Sequence, residues 1–131
     1  MSEPRLLVLA AARGAVIADR VEPATGFWAR FLGLMGRGRL AQGEGLFLPD
    51  SSIHMFFMRF PIDALFLAGP DRDGMRTVVA MRQDLPPWFG IVLPVRGAAG
   101  VVELRAGTLR ASGLQLGDAV RLEPTDEPRS D

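Results

Sequence analysis

The sequence lacks cysteine altogether, and it also contains no lysine, asparagine or tyrosine. Without cysteine the chain can form no disulfide, no thiolate nucleophile and no cysteine-ligated zinc site. Arginine supplies every basic side chain except a single histidine. We attribute this usage to the codon bias of a GC-rich genome, so an all-arginine surface does not by itself indicate anion recognition.

An excess of charge of either sign is also missing. Fifteen basic residues balance fifteen acidic ones, which gives a formal net charge of zero. Proteins that bind nucleic acid usually carry a basic excess, and segments that bind membrane surfaces are usually polybasic. We therefore expect neither a nucleic acid nor a membrane as partner.

No long hydrophobic run is present. The apolar run over residues 6–12 is far too short to span a bilayer. Read as a signal peptide, it would have a minimal core with Arg5 as its only preceding basic residue. We interpret it instead as a first strand, so a cytoplasmic location is expected, with export left open.

Turn-forming residues are abundant, with 15 glycines and 10 prolines among 131 residues, and the length fits a single domain. Short apolar stretches between these turns predict strands over 5–10, 15–21, 45–48, 53–60, 62–68, 77–81, 98–105 and 119–123. Helical patterns cover residues from about 26 to 35 and from 108 to 112. The pattern predicts a mainly β fold, with α+β as an alternative: an antiparallel β-sandwich or barrel of short strands with one or two short helices. Residues 1–123 would form the globular domain and 124–131 a flexible tail.

The densest chemistry lies over residues 53–63, which include the only histidine, His54, together with Arg59 and Asp63. One hypothesis makes His54 an acid/base catalyst paired with Asp63 or Glu103, because the pKa of imidazole lies near neutrality. The structural alternative is a hydrogen-bonded imidazole at a strand edge. With one histidine and no ligand-spaced pair, the sequence predicts no metal site, and no motif indicates a cofactor.

Glu103 stands between Val102 and Leu104, so strand alternation sends it to the opposite face from its apolar neighbours. We slightly favour an ordinary solvent-facing glutamate there. Trp88 lies in a loop of prolines and aromatic residues, where it fits the core and a stacking surface about equally well.

Aromatic density beside a few charges is the usual composition of a small-molecule site. A binding hypothesis therefore places Phe57, Met58 and Trp88 along a partly apolar cleft, with Arg37, Arg59 and Asp63 fixing the orientation of the ligand.

Several short motifs follow one another along the chain: Gly33-Leu34-Met35 with Arg37, Gly45-Leu46-Phe47, residues 57–63, Val102-Glu103-Leu104 with Gly107, and residues 113–118. In this order and spacing they resemble the domain-of-unknown-function 192 (DUF192) family of bacteria and archaea. The resemblance implies a compact, mainly β fold and no established activity. Its recurring polar positions correspond to Arg37, Asp63, Glu103 and Asp118. Many relatives of that family carry Trp where this chain has Phe57, and phenylalanine has no indole N–H to donate at this position.

Three functions are compatible with these observations. We favour a non-enzymatic module that binds a small ligand or acts as an accessory domain. A structural or protein-interaction module ranks second, and the acid/base enzyme that uses His54 ranks third.

Overall fold

The computed structural model describes residues 6–23, 40–48, 53–54, 60–86, 91–92 and 95–125, with 53–54 and 91–92 described by their backbone. The elements in this part of the chain are β1 (Leu7–Ala11), β2 (Val16–Pro23), β3 (Glu44–Leu48), β4 (Ile53–His54), β5 (Ile62–Leu67), β6 (Met75–Leu85), β7 (Ile91–Val92), β8 (Gly100–Arg105), α1 (Thr108–Ser112) and β9 (Ala119–Pro124). No helix within these ranges is long and apolar enough to cross a membrane.

Seven of these strands form a closed barrel in the order β1-β2-β3-β8-β5-β6-β9, and β9 pairs back onto β1. All neighbours are antiparallel except β2 and β3, which run parallel from Arg20 opposite Glu44 to Pro23 opposite Phe47. β4 and β7 form a separate two-stranded antiparallel sheet. The mainly β prediction is confirmed, and of its two architectures the chain adopts the barrel.

Two apolar clusters lie on opposite faces of the barrel wall. The inner cluster fills the barrel and draws on nearly every strand; its buried members are Leu9, Ala18, Val21, Leu65, Leu67, Val78, Val102, Leu104, Leu109, Leu114 and Val120. The outer cluster covers the outside of the wall formed by β3, β8, β5 and β6; its buried members are Leu40, Leu46, Phe60, Ile62, Ala64, Phe66, Ala80 and Val101. Successive side chains of a strand point to opposite faces, so β5 and β8 supply residues to both clusters.

Strand β5 shows the consequence most clearly, because all six of its residues are buried. Ile62, Ala64 and Phe66 join the outer cluster, whereas Leu65 and Leu67 join the inner one. A strand covered on both faces reads as a continuous apolar run instead of an alternating one. This part of the wall is therefore an internal partition between two cores.

Most predicted elements occur close to their expected positions. The helix predicted at residues 108–112 is α1, which ends at Gly113 in the left-handed conformation with φ 72°. The run expected as a first strand forms β1, which is paired on both sides. The hairpin over 62–81 is confirmed, although β6 continues four residues beyond its predicted end.

Other predictions need correction or lie outside the described residues. Of the strand predicted over 53–60, Ile53 and His54 are strand, Phe60 lies in a bend, and 55–59 are not described. The helix predicted near 26–35 is likewise outside the description. β9 includes Pro124, and the Thr125 amide donates to the Leu6 carbonyl at 2.8 Å, so the barrel extends past residue 123.

Candidate functional site

Glu103 lies on the outer face of the barrel wall, and its side chain is only 5% exposed. In the strand register it stands between Leu46 of β3 and Ala64 of β5, two members of the outer cluster. The prediction that it points away from Val102 and Leu104 is correct. The prediction that it faces solvent is wrong, because the outer face of this wall is covered.

The carboxylate of Glu103 has no hydrogen-bond or ion-pair partner among the described residues. Burial raises its pKa from 4.5 to about 7, because an apolar environment penalises the charged form. A buried polar group normally has a partner, and one without a partner costs free energy. Glu103 is therefore the residue whose environment most needs an explanation beyond packing.

Asp63 is also completely buried, but its surroundings are the opposite of those of Glu103. Its Oδ1 accepts a hydrogen bond from the Asp84 amide at 3.0 Å. Its Oδ2 accepts hydrogen bonds from the amides of Gly107 at 3.1 Å and Leu109 at 2.9 Å. The last two amides belong to the beginning of α1, whose own residues provide no side-chain cap. Asp63 thus caps α1 and holds the end of β6 at the same time.

Asp63 and Glu103 occupy opposite faces of the wall. Asp63 pairs with Leu104, and both lie on the inner face of the wall. Glu103 pairs with Ala64, and both lie on the outer face. The structure does not bring the two carboxylates together. An acid/base pair with His54 could therefore include only one of the two acids. Asp63 is the less available of them, because its oxygens already accept hydrogen bonds from three backbone N–H groups.

Asp84 adopts φ 53°, and within the described part of the chain no other non-glycine residue has a positive φ. Aspartate tolerates the left-handed region better than most residues, and the hydrogen bond to Asp63 holds its amide in place. Its carboxylate lies 3.8 Å from the Arg110 guanidinium in an exposed ion pair. This backbone turn sets the direction in which the chain leaves β6 toward Pro86.

Two chain stretches that carry predicted site residues are attached at neighbouring points. Residues 55–59 connect His54 to Phe60, and residues 87–90 connect Pro86 to Ile91. His54 pairs with Ile91 in the small sheet, and Ile62 pairs with Leu85 in the barrel. The described residues on either side of the two stretches therefore lie close to each other.

Described residues at or near the ends of these stretches also belong to the outer cluster or pack against it. Four of the five internal stretches outside the description adjoin a residue that is part of this cluster or packs against it, namely Leu40, Leu48, Phe60 or Val95. The fifth, 87–90, begins two residues after Leu85, which also packs against the cluster. The predicted ligand-binding residues Arg37, Phe57, Met58, Arg59 and Trp88 all lie in such stretches, outside the described residues. For His54 the description covers the backbone alone.

The sequence contained a signal for the burial of Glu103 that its immediate neighbours did not reveal. β8 reads Gly-Val-Val-Glu-Leu-Arg, and Val101 belongs to the face opposite Val102. Apolar residues on both faces of a strand indicate that both faces are covered. A glutamate within such a run is expected to be buried on either face.

A concave region lies near α1. Two adjoining hollows of about 360 and 400 Å³ share Ala11, Arg13 and Ser112 in their linings. Asp118, which borders one of them, accepts a hydrogen bond from the Gln115 amide at 2.9 Å and so serves the turn. Within the described ranges no three His, Asp or Glu side chains come together as metal ligands. With no buried unpaired polar group in either hollow, this region is a weaker candidate than the surroundings of Glu103.

Comparison with known proteins identifies the relatives of this barrel. The model of the DUF192 family, described as uncharacterized ACR, matches residues 8–122. A UPF0127 protein from Thermococcus sibiricus is 32% identical over 120 residues, which cover 88% of this chain and 73% of that protein. A UPF0127 protein from Thermococcus gammatolerans is 31% identical over 126 residues, which cover 92% of this chain and 78% of that protein.

Two crystal structures share the fold. One is a candidate transcription regulator from Sinorhizobium meliloti 1021, with 24% identity and a TM-score of 0.66 over 93% of this chain and 98% of that one. The other is a protein of unknown function from Novosphingobium aromaticivorans, with 24% identity and a TM-score of 0.63 over 88% of this chain and 82% of that one.

Proposed function

We propose that this chain, which belongs to the DUF192 family, is a non-enzymatic module. It would bind a small ligand at the outer face of the barrel wall. The family has no established activity, so the proposal stands on the site. The observation that carries it is the buried carboxylate of Glu103, which lies in an apolar cluster without a partner among the described residues.

Burying a carboxyl group without a hydrogen-bond partner destabilises a folded protein by about 1–3 kcal/mol. A ligand that supplies the missing partner recovers this free energy on binding. Small-molecule sites are typically apolar with a few orienting polar groups, and Glu103 surrounded by Leu46 and Ala64 has this character.

The remaining site residues keep the roles proposed from the sequence, with one change. We propose that Phe57, Met58 and Trp88 contribute apolar surface and that Arg37 and Arg59 contribute charge. Support comes from the strand pairings, which attach 55–59 and 87–90 at neighbouring points beside the outer cluster. Asp63 is assigned a positioning role, because its oxygens already accept three backbone N–H groups.

A second candidate is the acid/base enzyme, now with Glu103 as the acid beside His54. The observation in its favour is the pKa of Glu103, which at about 7 suits proton transfer at neutral pH. A protein-interaction module is the third candidate. The cytoplasm stays our proposed compartment, and fractionation of cells that express the tagged chain tests it.

The test of the binding function is thermal unfolding of the purified chain against metabolites, sugars, nucleotides and divalent metals. A ligand present at a hundredfold over its dissociation constant stabilises the folded state by about 2.7 kcal/mol. In a domain of this size such a gain raises the melting temperature by several degrees, on the order of 10 °C. Glu103→Gln should abolish the shift, and Glu123→Gln, at an exposed position of β9, should retain it.

Each result has a distinct meaning. A shift that survives Glu103→Gln moves the ligand away from this face and contradicts the proposed site. The absence of any shift across the panel contradicts the binding function and favours the interaction module. Chemical turnover of a stabilising compound, lost with Glu103→Gln, favours the enzyme.

A further inference from the structure

We propose that the ligand of this site carries a protonated amine on an apolar body, and that the carboxylate of Glu103 binds the ammonium group. This inference rests on the binding function proposed above and adds the chemical class of the ligand. The structural basis is the position of the buried Glu103 carboxylate within an apolar part of the outer face, where no described side chain pairs with it.

The first step is the geometry around Glu103. Leu46 and Ala64 are its cross-strand neighbours, and Val101 precedes it on the same face of β8. Side chains of this kind provide apolar contact and no hydrogen bonds. A group that enters this environment must therefore satisfy the carboxylate and present hydrocarbon to its surroundings.

The second step is the charge around Glu103. The charged residues on the outer face of the described strands near Glu103 are Glu44 of β3, Arg82 of β6 and Arg105 of β8. Arg96 is exposed in the loop whose Val95 and Ala98 pack against the outer cluster. Glu44 accepts a hydrogen bond from the Ala41 amide, and the exposed Arg82 donates to the Met81 carbonyl at 3.0 Å. Arg105 is exposed at the end of β8. The charged residue of β5, Asp63, faces the other side, so no described side chain neutralises Glu103.

The third step is chemical complementarity. An ionised carboxylate in an apolar environment is stable only when it is paired with a positive charge and hydrogen-bonded. An ammonium group meets both needs, because it is compact and carries three donors. A ligand carboxylate would repel Glu103, and a neutral acceptor could bind only after Glu103 takes up a proton.

The binding of an ammonium group and the binding of a neutral acceptor should therefore depend on pH in opposite ways. An aliphatic amine stays protonated between pH 6 and 8, whereas a carboxyl group with a pKa of about 7 changes from mostly neutral to mostly ionised. The affinity for the amine should therefore rise about tenfold from pH 6 to pH 8. The affinity for a neutral acceptor should fall over the same range.

The experiment compares three probes that share one ring: benzylammonium, benzyl alcohol and benzoate. Titration calorimetry at pH 6, 7 and 8 measures their binding to the intact chain. We expect benzylammonium to bind most tightly, with the tenfold gain described above. Glu103→Gln should weaken it at least tenfold and remove the pH dependence, whereas Glu103→Asp, which keeps the charge, should restore part of the affinity. Glu123→Gln should bind as the unmodified chain does.

Two outcomes overturn the inference. Tighter binding of benzyl alcohol or benzoate, lost with Glu103→Gln, refutes the amine and leaves the binding function intact. Failure of benzylammonium to bind also refutes the amine, and the independent metabolite panel then decides the binding function. Thermal unfolding of each variant establishes whether it is folded. If Glu103→Gln does not fold, the affinity of Glu103→Asp for benzylammonium is compared with that of the unmodified chain instead.

Discussion

At the scale of single residues, two buried acids on adjacent strands show how environment separates a structural role from a candidate functional one. Asp63 accepts three backbone hydrogen bonds, so its burial is explained by what it holds together. Glu103, one strand away on the opposite face, has no described partner and a raised pKa. Buried carboxyl groups of the second kind are candidates for binding or chemistry.

The raised pKa of Glu103 predicts that the free chain loses stability as the pH rises. Between pH 4.5 and 7 the unfolded chain has released the Glu103 proton, but the folded chain retains it. The unfolded state then binds fewer protons, so the free energy of unfolding falls with pH, by about 3 kcal/mol in total. Denaturant unfolding at pH 5, 6, 7 and 8 should show a steeper fall for the unmodified chain than for Glu103→Gln. Equal slopes would show that the folded-state pKa is not raised.

The sequence predicted the direction of the Glu103 side chain but not its burial. Alternation between Val102 and Leu104 is a local property, so it fixes the face. Whether that face is covered depends on Leu40, Leu46 and Phe60, which are distant in sequence. The same limit applied to Asp63, whose three donors come from residues 21, 44 and 46 positions further along the chain.

At the scale of elements, Asp63 is the point at which β5, β6 and α1 are joined. α1 is a short helix that begins at Thr108, and its N-cap residue, Gly107, provides no side-chain cap. A helix of five residues is not stable alone in water, so its position depends on contacts from the barrel. The Asp63 carboxylate and the burial of Leu109 provide these contacts.

Asp63→Asn should destabilise the chain by about 1–3 kcal/mol. An amide has one acceptor oxygen, so its NH₂ group must face at least one of the three N–H donors and leave it unsatisfied. Urea unfolding measures the loss, and hydrogen exchange at the Leu109 amide should become faster. Asp73→Asn removes the same charge from an exposed turn and should change the stability little. Equal effects of the two substitutions would contradict the joint role of Asp63.

The pairing of β3 with β8 depends on the absence of a side chain at Gly45. A Cβ atom at this position would lie 2.8 Å from the Glu103 carbonyl oxygen and 3.1 Å from Leu104 Cδ2. The first of these atoms is backbone and cannot rotate away. The two strands that flank the candidate site are therefore held at a separation that only glycine permits.

Gly45→Ala should force β3 away from β8 and cost about 1–3 kcal/mol. Gly69→Ala is the matched control, because a Cβ at that position meets its nearest atom, Ala99 Cβ, at an ordinary 3.8 Å. Thermal unfolding of both variants should show a lower melting temperature only for Gly45→Ala. A melting temperature for Gly45→Ala equal to that of the unmodified chain would mean that the strands can separate at little cost.

At the scale of the whole molecule, the barrel wall separates two apolar cores. The inner cluster is closed by the strands themselves and by Leu109 and Leu114 near α1. The outer cluster contains the neighbours of Glu103 and the attachment points of the stretches that carry the predicted site residues. The candidate site therefore lies on the outer face of the wall, beside the second of the two cores.

The sequence predicted the number and spacing of the barrel strands better than their connectivity. Turn residues and apolar runs are local, and they located β3, β5, β8 and β9 to within one or two residues. The parallel pairing of β2 with β3 was not predicted, since it requires a connection across residues 24–43 whose path no local pattern specifies. Closure of the barrel by β1 and β9 is equally non-local, with Leu7 opposite Pro124.

That closure brings the beginning and the end of the described chain together. β1 and β9 are antiparallel neighbours, and Leu6 and Thr125 are linked by a hydrogen bond of 2.8 Å. A domain whose two ends leave at one point can be inserted into a surface loop of another protein without spreading that loop apart. This barrel is therefore geometrically suited to being carried as an insertion that leaves its fold undisturbed.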